Sequence, residues 1–455
     1  MNLGNTVVVV GAGPVGIVGA LLLARQGNEV HVFDRREDPR KVAPPRGRSI
    51  SLTLTQRGWT ALRRAGVESC IRQIAIPLQG RQIHLESGEL RYQPYGVNGE
   101  HIDCVPRPDL TATLINEAEK VANVHLHFGW KCIAAAPEEG SLTFHDPSGA
   151  AVRVQSDRIL AADGATSAVR DALASRGDVE LQRTRSTHYY KELTVDELPA
   201  DFGPLKQNAL HVWPRGDCML VAFPTPSGGF SFTLFLPMTG ERSFDALSEA
   251  SAVQTFIENH FSDLRPLLPY FLRDFYEVQP SSLVSVRCYP WVFHGLALIG
   301  DAAHSMFPFL GQGLNAGLED LSVLLDCIQH GDGSWQDALG VYQKARKANC
   351  DAVTEIAAQH YGELAEATKD PRFLLRKRLE VRLGELFPKE LASPYHIVSF
   401  SDRPYLEARR TAALQRRIIE QLIGIADVQT LESGRLDSDL VSVAEAVLSP
   451  TSVGT

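Results

Sequence analysis

The stretch TVVVVGAGPVGIVGALLLARQGNEVHVFDRR, residues 6–36, determines how the fold begins. The apolar run at residues 6–10 is typical of a buried parallel strand, and the glycine-rich turn that follows leads into a helix ending at Gly27. Residues 29–36 predict a second strand. The pattern is therefore a βαβ unit with a G-x-G-x-x-G turn, which is typical of dinucleotide binding.

Each residue type in this turn has a physical reason. Gly11 permits the tight turn, Gly13 lets a pyrophosphate approach the backbone, and Gly16 lets the helix pack closely on the strand. Asp34, at the end of the second strand, can accept hydrogen bonds from the ribose hydroxyls of an adenosine. The two arginines after Asp34 hint at a 2′-phosphate, but an acidic residue at the ribose position disfavours NADP. FAD and NAD both remain open from this unit alone.

Two later segments narrow the choice. RILAADGATSAVRDAL (158–173) and LALIGDAAHSMFPFLGQGLNAGLEDLSVLL (296–325) each predict a strand, a turn and a helix. Asp163 and Asp301 follow the strands, and Asp301 can bind ribityl hydroxyls there. Residues 311–313 bring backbone amides to a helix start, where the helix dipole can stabilise negative charge on a reduced flavin. The three motifs in this order favour FAD.

Composition excludes several classes of protein. The 455 residues are 44% hydrophobic, with a formal net charge of −9 and no long basic block, so neither nucleic acid nor a membrane surface is an expected partner. The seven cysteines never approach CxxC spacing, which predicts no disulfide framework, no metal site and a reducing, cytoplasmic location. No run is suited to spanning a bilayer, since glycines interrupt the uncharged stretch at residues 6–24.

The strand and helix patterns along the chain predict three structural parts. Residues 185–288 are rich in strand patterns, such as the apolar strands that flank Pro-Ser-Gly-Gly at 226–229, and the chain turns helical and charged from about residue 336. We predict that residues 1–75, 101–176 and 286–345 form an FAD-binding domain. Residues 76–100 and 177–285 would form a substrate-binding β-sheet domain, and residues 346–455 a C-terminal helical region.

The ordered motifs resemble those of the single-component, FAD-dependent aromatic hydroxylases, whose fold is shared with para-hydroxybenzoate hydroxylase. Within that group the chain resembles the kynurenine 3-monooxygenases. The segments that carry this resemblance are RGRSISLTLTQRG (46–58), QGRQIHL (79–85), QPYG (93–96), NALHVWPRGD (208–217), FTLFLP (232–237), the Asp301 segment and SPYHIVSFSDRPY (393–405). The implied fold is a Rossmann-like α/β FAD-binding fold with a largely antiparallel β substrate domain and a C-terminal helical region.

The resemblance also implies the site residues. The expected FAD contacts are Gly11, Gly13, Gly16, Asp34, Arg35, Arg48, Arg107, Asp163, Gly300, Asp301, Gly313, Leu314 and Asn315. The expected catalytic segment at the flavin ring is Pro308, Gly311, Gln312 and Gly313. Arg81, Tyr95 and Tyr395 would hold the amino-acid carboxylate of the substrate, because an Arg offers a bidentate fork and a Tyr a directed hydroxyl. The remaining expected substrate contacts are Leu210, Phe235, Phe309, Leu310 and His360.

The implied reaction is hydroxylation of an aromatic amino acid, L-kynurenine to 3-hydroxykynurenine, with NADPH as co-substrate and a flavin C4a-hydroperoxide as oxygen donor. Leu310 and His360 depart from the family, which has His and Asn at these positions. A hydroxylase of a related aromatic acid, or of a substituted kynurenine or tryptophan, is therefore an alternative. An FAD-dependent reductase that does not activate O₂ is another, and a flavin-binding protein without turnover is a third. A homodimer is left open.

Overall fold

The computed structural model describes residues 1, 3, 6–42, 51–96, 99–199, 202–203, 205–331, 334–366, 371–425 and 436–448. The strands are β1 (Val7–Val10), β2 (Val30–Asp34), β3 (Ser51–Leu54), β4 (Ile76–Leu78), β5 (Gly80–His84), β6 (Leu90–Pro94), β7 (Ile102–Pro106), β8 (Val124–Phe128), β9 (Lys131–Ala136), β10 (Ser141–His145), β11 (Ala151–Gln155), β12 (Arg158–Ala161), β13 (Glu180–Val195), β14 (Ala209–Pro214), β15 (Met219–Pro224), β16 (Phe230–Pro237), β17 (Ser281–Tyr289), β18 (Val292–Phe293) and β19 (Leu296–Leu298).

The helices alternate with these strands in the first part of the chain and dominate the last part. They are α1 (Pro14–Arg25), α2 (Gln56–Arg64), α3 (Glu68–Arg72), α4 (Arg107–Glu119), α5 (Ala168–Ser175), α6 (Ala250–His260), α7 (Leu268–Phe275), α8 (Asp301–His304), α9 (Gly313–His330), α10 (Trp335–Glu366), α11 (Pro371–Leu386), α12 (Pro394–Phe400), α13 (Tyr405–Ile425) and α14 (Leu436–Leu448).

A six-stranded sheet confirms the predicted βαβ unit. Its strand order is β18-β19-β12-β1-β2-β8, and every pair except β18–β19 is parallel. The four valines of β1 are at most 4% exposed, because helices cover both faces of a parallel sheet. The three predicted strand–turn–helix segments supply β1, β12 and β19, so their carboxyl ends lie along one edge, where ligands of such sheets bind.

A seven-stranded sheet forms the predicted β-rich part. Its order is β17-β13-β16-β15-β14-β5-β6, and all neighbours are antiparallel except β14 and β5. The Pro-Ser-Gly-Gly segment connects β15 to β16 as a hairpin, as predicted. Strands β5 and β6 come from residues 80–94, so this sheet combines two distant parts of the chain. The exact domain boundaries stay a prediction.

Two three-stranded antiparallel sheets, β11-β10-β9 and β3-β7-β4, flank the larger ones. Helices α11, α13 and α14 share an apolar core that includes Leu379, Ile418 and Leu440. The seven cysteines are free thiols. Within the described ranges, no helix is both long and apolar enough to cross a bilayer.

Candidate functional site

A cavity of about 530 Å³ connects the carboxyl edge of the parallel sheet with the seven-stranded sheet. The lining residues from the predicted cofactor set are Gly11, Gly13, Asp34, Arg35, Arg107, Asp163, Asp301, Gly313 and Leu314. Those from the predicted substrate and catalytic sets are Arg81, Leu210, Phe235, Phe309, Pro308 and Gly311. The structure therefore brings most of the predicted cofactor residues and half of the predicted substrate residues to the lining of one continuous space, which Tyr95 and Tyr395 do not line.

The glycine turn is shaped for a phosphate. Gly11 has φ +105°, and a Cβ there would lie 2.5 Å from the Ala162 carbonyl oxygen. A Cβ on Gly16 would lie 1.9 Å from the Gly11 carbonyl oxygen, so helix and turn touch through backbone alone. A Cβ on Gly13 would meet nothing within 4 Å. Helix α1 begins at the next residue with no side-chain cap and no acidic residue in its first turn, which leaves its N–H groups to an anion.

This contrast between glycines yields a prediction. Gly13→Ala is expected to leave the apoprotein folded, because Gly13 has the ordinary extended backbone φ −76°, ψ 173°. Its methyl group would occupy the approach of the pyrophosphate and weaken FAD binding by about tenfold or more, measured by titrating apoprotein with FAD and following flavin fluorescence. Gly16→Ala is the contrasting variant and should disrupt folding itself. Unchanged FAD affinity in Gly13→Ala would contradict the assignment.

Asp34 is held as an anion at the predicted ribose position. Its Oδ2 accepts a 2.7 Å bond from the Ala12 amide, and the Arg36 guanidinium donates bonds of 2.9 and 2.8 Å to the two carboxylate oxygens. Burial acts to raise the pKa of Asp34, but the bonds from Arg36 more than offset it and leave the pKa below its ordinary value. Arg35 instead donates to Thr166 Oγ1 at 3.1 Å.

Asp163 provides an observation that tests the fit of FAD. Its Oδ2 accepts from the amides of Ala168 and Val169 at 2.8 and 3.2 Å and so caps α5 together with Ser167. Its Oδ1 is buried and has no hydrogen-bond partner among the described residues, although Asp163 lines the cavity. A buried acceptor without a donor is costly, and a ribityl or ribose hydroxyl of FAD would satisfy it. Together with the open backbone at Gly13 and the anionic Asp34, this site fits FAD.

The segment around Asp301 brings a tight turn and a helix start to the cavity. Gly311 has φ +69°, and a Cβ there would lie 2.4 Å from Thr53 Oγ1. Helix α9 begins at Gly313 with no side-chain cap and no acidic residue in its first turn. Its N-terminus is therefore free to stabilise negative charge in the cavity, as predicted for the reduced flavin.

Two predicted residues of this segment direct their side chains into the protein. Asn315 Nδ2 donates to the carbonyl oxygens of Thr53 and Gly311 at 2.9 and 3.0 Å, and its Oδ1 accepts from the Thr55 amide at 2.9 Å. Gln312 Oε1 accepts from the Tyr405 hydroxyl at 3.3 Å. These side chains fasten β3 and α13 to the start of α9, and neither residue lines the cavity. Predicted Arg48 lies outside the described residues.

The predicted carboxylate-binding set assembles from three separate parts of the chain. Arg81 on β5 lies with its guanidinium carbon 5.5 Å from the Tyr95 ring and 4.8 Å from the Tyr395 ring of α12. The two rings stack with their centroids 5.6 Å apart. No carboxylate of the described residues forms an ion pair with Arg81, and its Nε and the Tyr95 hydroxyl are buried without hydrogen-bond partners there.

This arrangement keeps Arg81 charged. Burial acts to lower its pKa, but the hydroxyls of Tyr395 and Tyr95 raise it, and the net shift is upward. Burial raises the pKa of Tyr95. A largely desolvated cation without a counter-charge, beside a neutral hydroxyl donor and facing a cavity, is arranged to bind a carboxylate.

The walls beside Arg81 are apolar, and sequence reasoning found only some of them. Phe235 and Phe309 lie with ring centroids 5.3 Å apart. The unpredicted lining residues on the sheet are Val212, Met219, Val221, Phe223 and Thr233. Met219, Val221 and Phe223 alternate along β15, and alternate residues of a strand share one face, so this pattern could have predicted a common apolar wall. At the other end of the cavity, Arg36, Trp130, Lys131 and Cys132 were missed.

The two positions at which the chain departs from the family lie off the cavity surface. Leu310 is 6% exposed and packs in an apolar cluster with Met306 and Tyr395, and His360 is a half-buried residue of α10. Neither lines the cavity.

A buried ion network supports the Asp301 segment. Asp320 of α9 accepts bonds from His304 Nε2 at 2.6 Å, the Gly300 amide at 3.0 Å and Arg346 Nε at 2.8 Å. The Arg57 guanidinium donates to the carbonyl oxygens of Ile397 and Val398 at 3.2 Å and so fastens the end of α12, the helix that carries Tyr395. These residues position the site without lining it.

The fold and the cavity define an FAD-binding α/β protein of the para-hydroxybenzoate hydroxylase type. The family model described as FAD binding domain matches residues 5–357. The chain is 39% identical to the kynurenine 3-monooxygenase of Myxococcus xanthus over 421 residues, 92% of this chain and 90% of that one, and 36% identical to that of Christiangramia forsetii over 440 residues, 96% and 98% of the two chains.

A solved structure of 2-methyl-3-hydroxypyridine-5-carboxylic acid oxygenase is similar with a TM-score of 0.67 and 20% identity, covering 83% of this chain and 96% of that one. This likeness concerns the fold. The identities to the curated relatives extend over nearly the whole chain, and on that ground the chain belongs to the FAD-dependent kynurenine 3-monooxygenase family.

Proposed function

We propose that this chain catalyses the NADPH- and O₂-dependent hydroxylation of the aromatic ring of L-kynurenine, giving 3-hydroxykynurenine, with FAD as cofactor. The observation that carries the proposal is Arg81, a charged guanidinium without a protein carboxylate partner among the described residues. It lies beneath two tyrosine rings and lines the cavity that continues to the FAD motifs. The site matches an aromatic amino acid, which has a carboxylate at one end and a ring at the other.

The residues of this chain would perform four tasks in the reaction. Arg81, with Tyr95 and Tyr395, would bind the substrate carboxylate and fix the distance from that group to the ring. Leu210, Phe235 and Phe309 would hold the ring and exclude water from it.

Gly13, Asp34, Asp163 and Asp301 would hold FAD, which supplies the activation of O₂ when bound. The amides at the start of α9 would stabilise negative charge beside it. The nicotinamide contacts stay unassigned, because the sequence has no second glycine fingerprint. A homodimer stays a prediction.

The direct test is a substrate screen. Purified FAD-loaded protein with NADPH is expected to consume O₂ in response to L-kynurenine and to form a product that carries one additional oxygen atom, identified by mass spectrometry. Tryptophan, anthranilate and substituted kynurenines form the comparison panel. Faster turnover of one of these would favour the related hydroxylase, and NADPH-dependent flavin reduction without coupled O₂ uptake on any aromatic would favour the reductase.

A further inference from the structure

Three imidazoles and a carboxylate meet at the end of the parallel sheet opposite the FAD motifs. Strands β2 and β8 pair in parallel with His31 beside His125, and the two ring centroids are 4.6 Å apart. Glu29, directly before β2, forms an ion pair with His125 Nε2. His127, two residues further along β8, has its Nε2 2.9 Å from His31 Nδ1.

The first three of these side chains offer ligand atoms at metal-binding range. One ligand atom from each of Glu29, His31 and His125 lies within 4.8 Å of the others. Ligands about 2.0–2.1 Å from a tetrahedral zinc ion are roughly 3.3 Å apart, so no two donors exceed that separation by more than about 1.5 Å. The donors of Glu29 and His125, which already form an ion pair, would instead move apart to admit the ion. The side chains of Glu29 and His125 are 50% and 40% exposed, which leaves them room to move and leaves the site open to solvent.

His127 provides the supporting contact that a histidine ligand requires. Its ring stacks on Phe33 at 4.5 Å and lies almost parallel to His31. With the Nδ1–H of His31 donated to His127 Nε2, the lone pair of His31 Nε2 is available for a metal.

We propose that Glu29, His31 and His125 form a binding site for a divalent transition ion, Zn²⁺ in the first instance, with His127 orienting His31 and water completing the coordination. Two imidazoles and one carboxylate suit Zn²⁺ better than Ca²⁺ or Mg²⁺, which prefer oxygen ligands. A second cluster of ligand types among the described residues, His304, Asp320 and Cys350, is different because the Arg346 guanidinium already bonds to Asp320.

The test titrates FAD-loaded protein with Zn²⁺ in a calorimeter. One equivalent is expected to bind to the wild type, and the double variant H31Q/H125Q should bind it at least about 100-fold more weakly. His127→Phe preserves the stacking and should weaken binding about 10- to 100-fold. His145→Gln, an exposed histidine of β10, is the matched control and should bind as the wild type does.

X-ray absorption separates this site from the free thiols. The expected spectrum has ligands at about 2.0–2.1 Å with imidazole scattering and no sulfur shell near about 2.3 Å. A sulfur shell, absence of stoichiometric binding, or unchanged affinity in H31Q/H125Q would each overturn the proposal. Glu29→Gln, at an exposed position, should also weaken binding, and it covers the case in which the double histidine variant does not fold. Bound FAD, measured on each variant, reports that the fold is retained.

Discussion

Arg81→Met is expected to lower kcat/KM for L-kynurenine by about 10²- to 10³-fold while the protein keeps its FAD. Removing one partner of a desolvated charge pair costs about 2–5 kcal/mol, and each 1.4 kcal/mol corresponds to about tenfold. The loss should exceed that of a surface ion pair, because Arg81 has no carboxylate partner among the described residues and contacts the rings of Tyr95 and Tyr395. Steady-state O₂ uptake at varied kynurenine concentration measures it.

Two comparisons make this result specific. Arg91→Met is the matched control, since Arg91 lies on the adjacent strand β6, is exposed, and pairs with Glu89. The second comparison uses decarboxylated kynurenine, which keeps the ring and the side-chain amine. The kcat/KM of the wild type should be much lower for decarboxylated kynurenine than for L-kynurenine, whereas the two values should be similar for Arg81→Met. This double-mutant cycle, with two proteins and two substrates, isolates the contact between the guanidinium and the carboxylate. Undiminished discrimination in Arg81→Met would place the carboxylate elsewhere.

Asp320→Asn is expected to destabilise the folded protein by about 3–5 kcal/mol, because it leaves His304 buried without its anion and leaves Arg346 with Glu319 as its remaining ion-pair partner. Asp320 is fully buried and accepts from both residues as well as from the Gly300 amide. The denaturant midpoint of the FAD-loaded protein measures the effect. Asp326→Asn provides the control on the same helix, since Asp326 is about half exposed and pairs with Arg64. An equal, small shift in both variants would show that the network contributes little.

The same carboxylate sets an expected pH dependence. Burial acts to raise the pKa of Asp320, but His304 and Arg346 lower it to about 2. In the unfolded chain the pKa of an Asp is about 3.9. Because the pKa of Asp320 is lower in the folded protein, its ionised carboxylate stabilises the fold above about pH 3.9, and this stabilisation is lost as the pH falls to the folded-state pKa. The wild type should therefore lose more stability than Asp320→Asn between about pH 4 and pH 2. Equal losses of stability in the wild type and in Asp320→Asn over this pH range would contradict the prediction.

The parts of the site that depend on local backbone sterics could be predicted from the sequence. Gly11, Gly13 and Gly16 occupy positions where chain neighbours already determine what fits, and the strand and helix patterns around them are contiguous. Asp34, Asp163 and Asp301 follow predicted strands, so the parallel arrangement alone places them on one edge.

The parts of the site that depend on how distant segments pack together could not be predicted from the sequence. Arg81 by itself is an ordinary strand residue, and its role depends on Tyr395, which lies more than 300 positions later and reaches it through α12. Asn315 looked like a cofactor contact, yet its amide bonds to the backbone of β3. Asp320 and the histidines of β2 and β8 carry no motif, because strand pairing and helix packing bring their partners together.

The position of β5 and β6 in the seven-stranded sheet constrains how the chain can fold during synthesis. Both strands are synthesised more than 100 residues before β14, the parallel partner of β5. Until β14 is made, β5 and β6 can form only a two-stranded hairpin, which is marginally stable in water. The glycine turn and Asp34 of the FAD site lie on β1, α1 and β2, which are made first, and β12, the other neighbour of β1, follows at residues 158–161. Both neighbours of β1 are thus made before β14 fixes the position of β5 and before α12 brings Tyr395 to Arg81, so substrate recognition is among the last properties this protein gains.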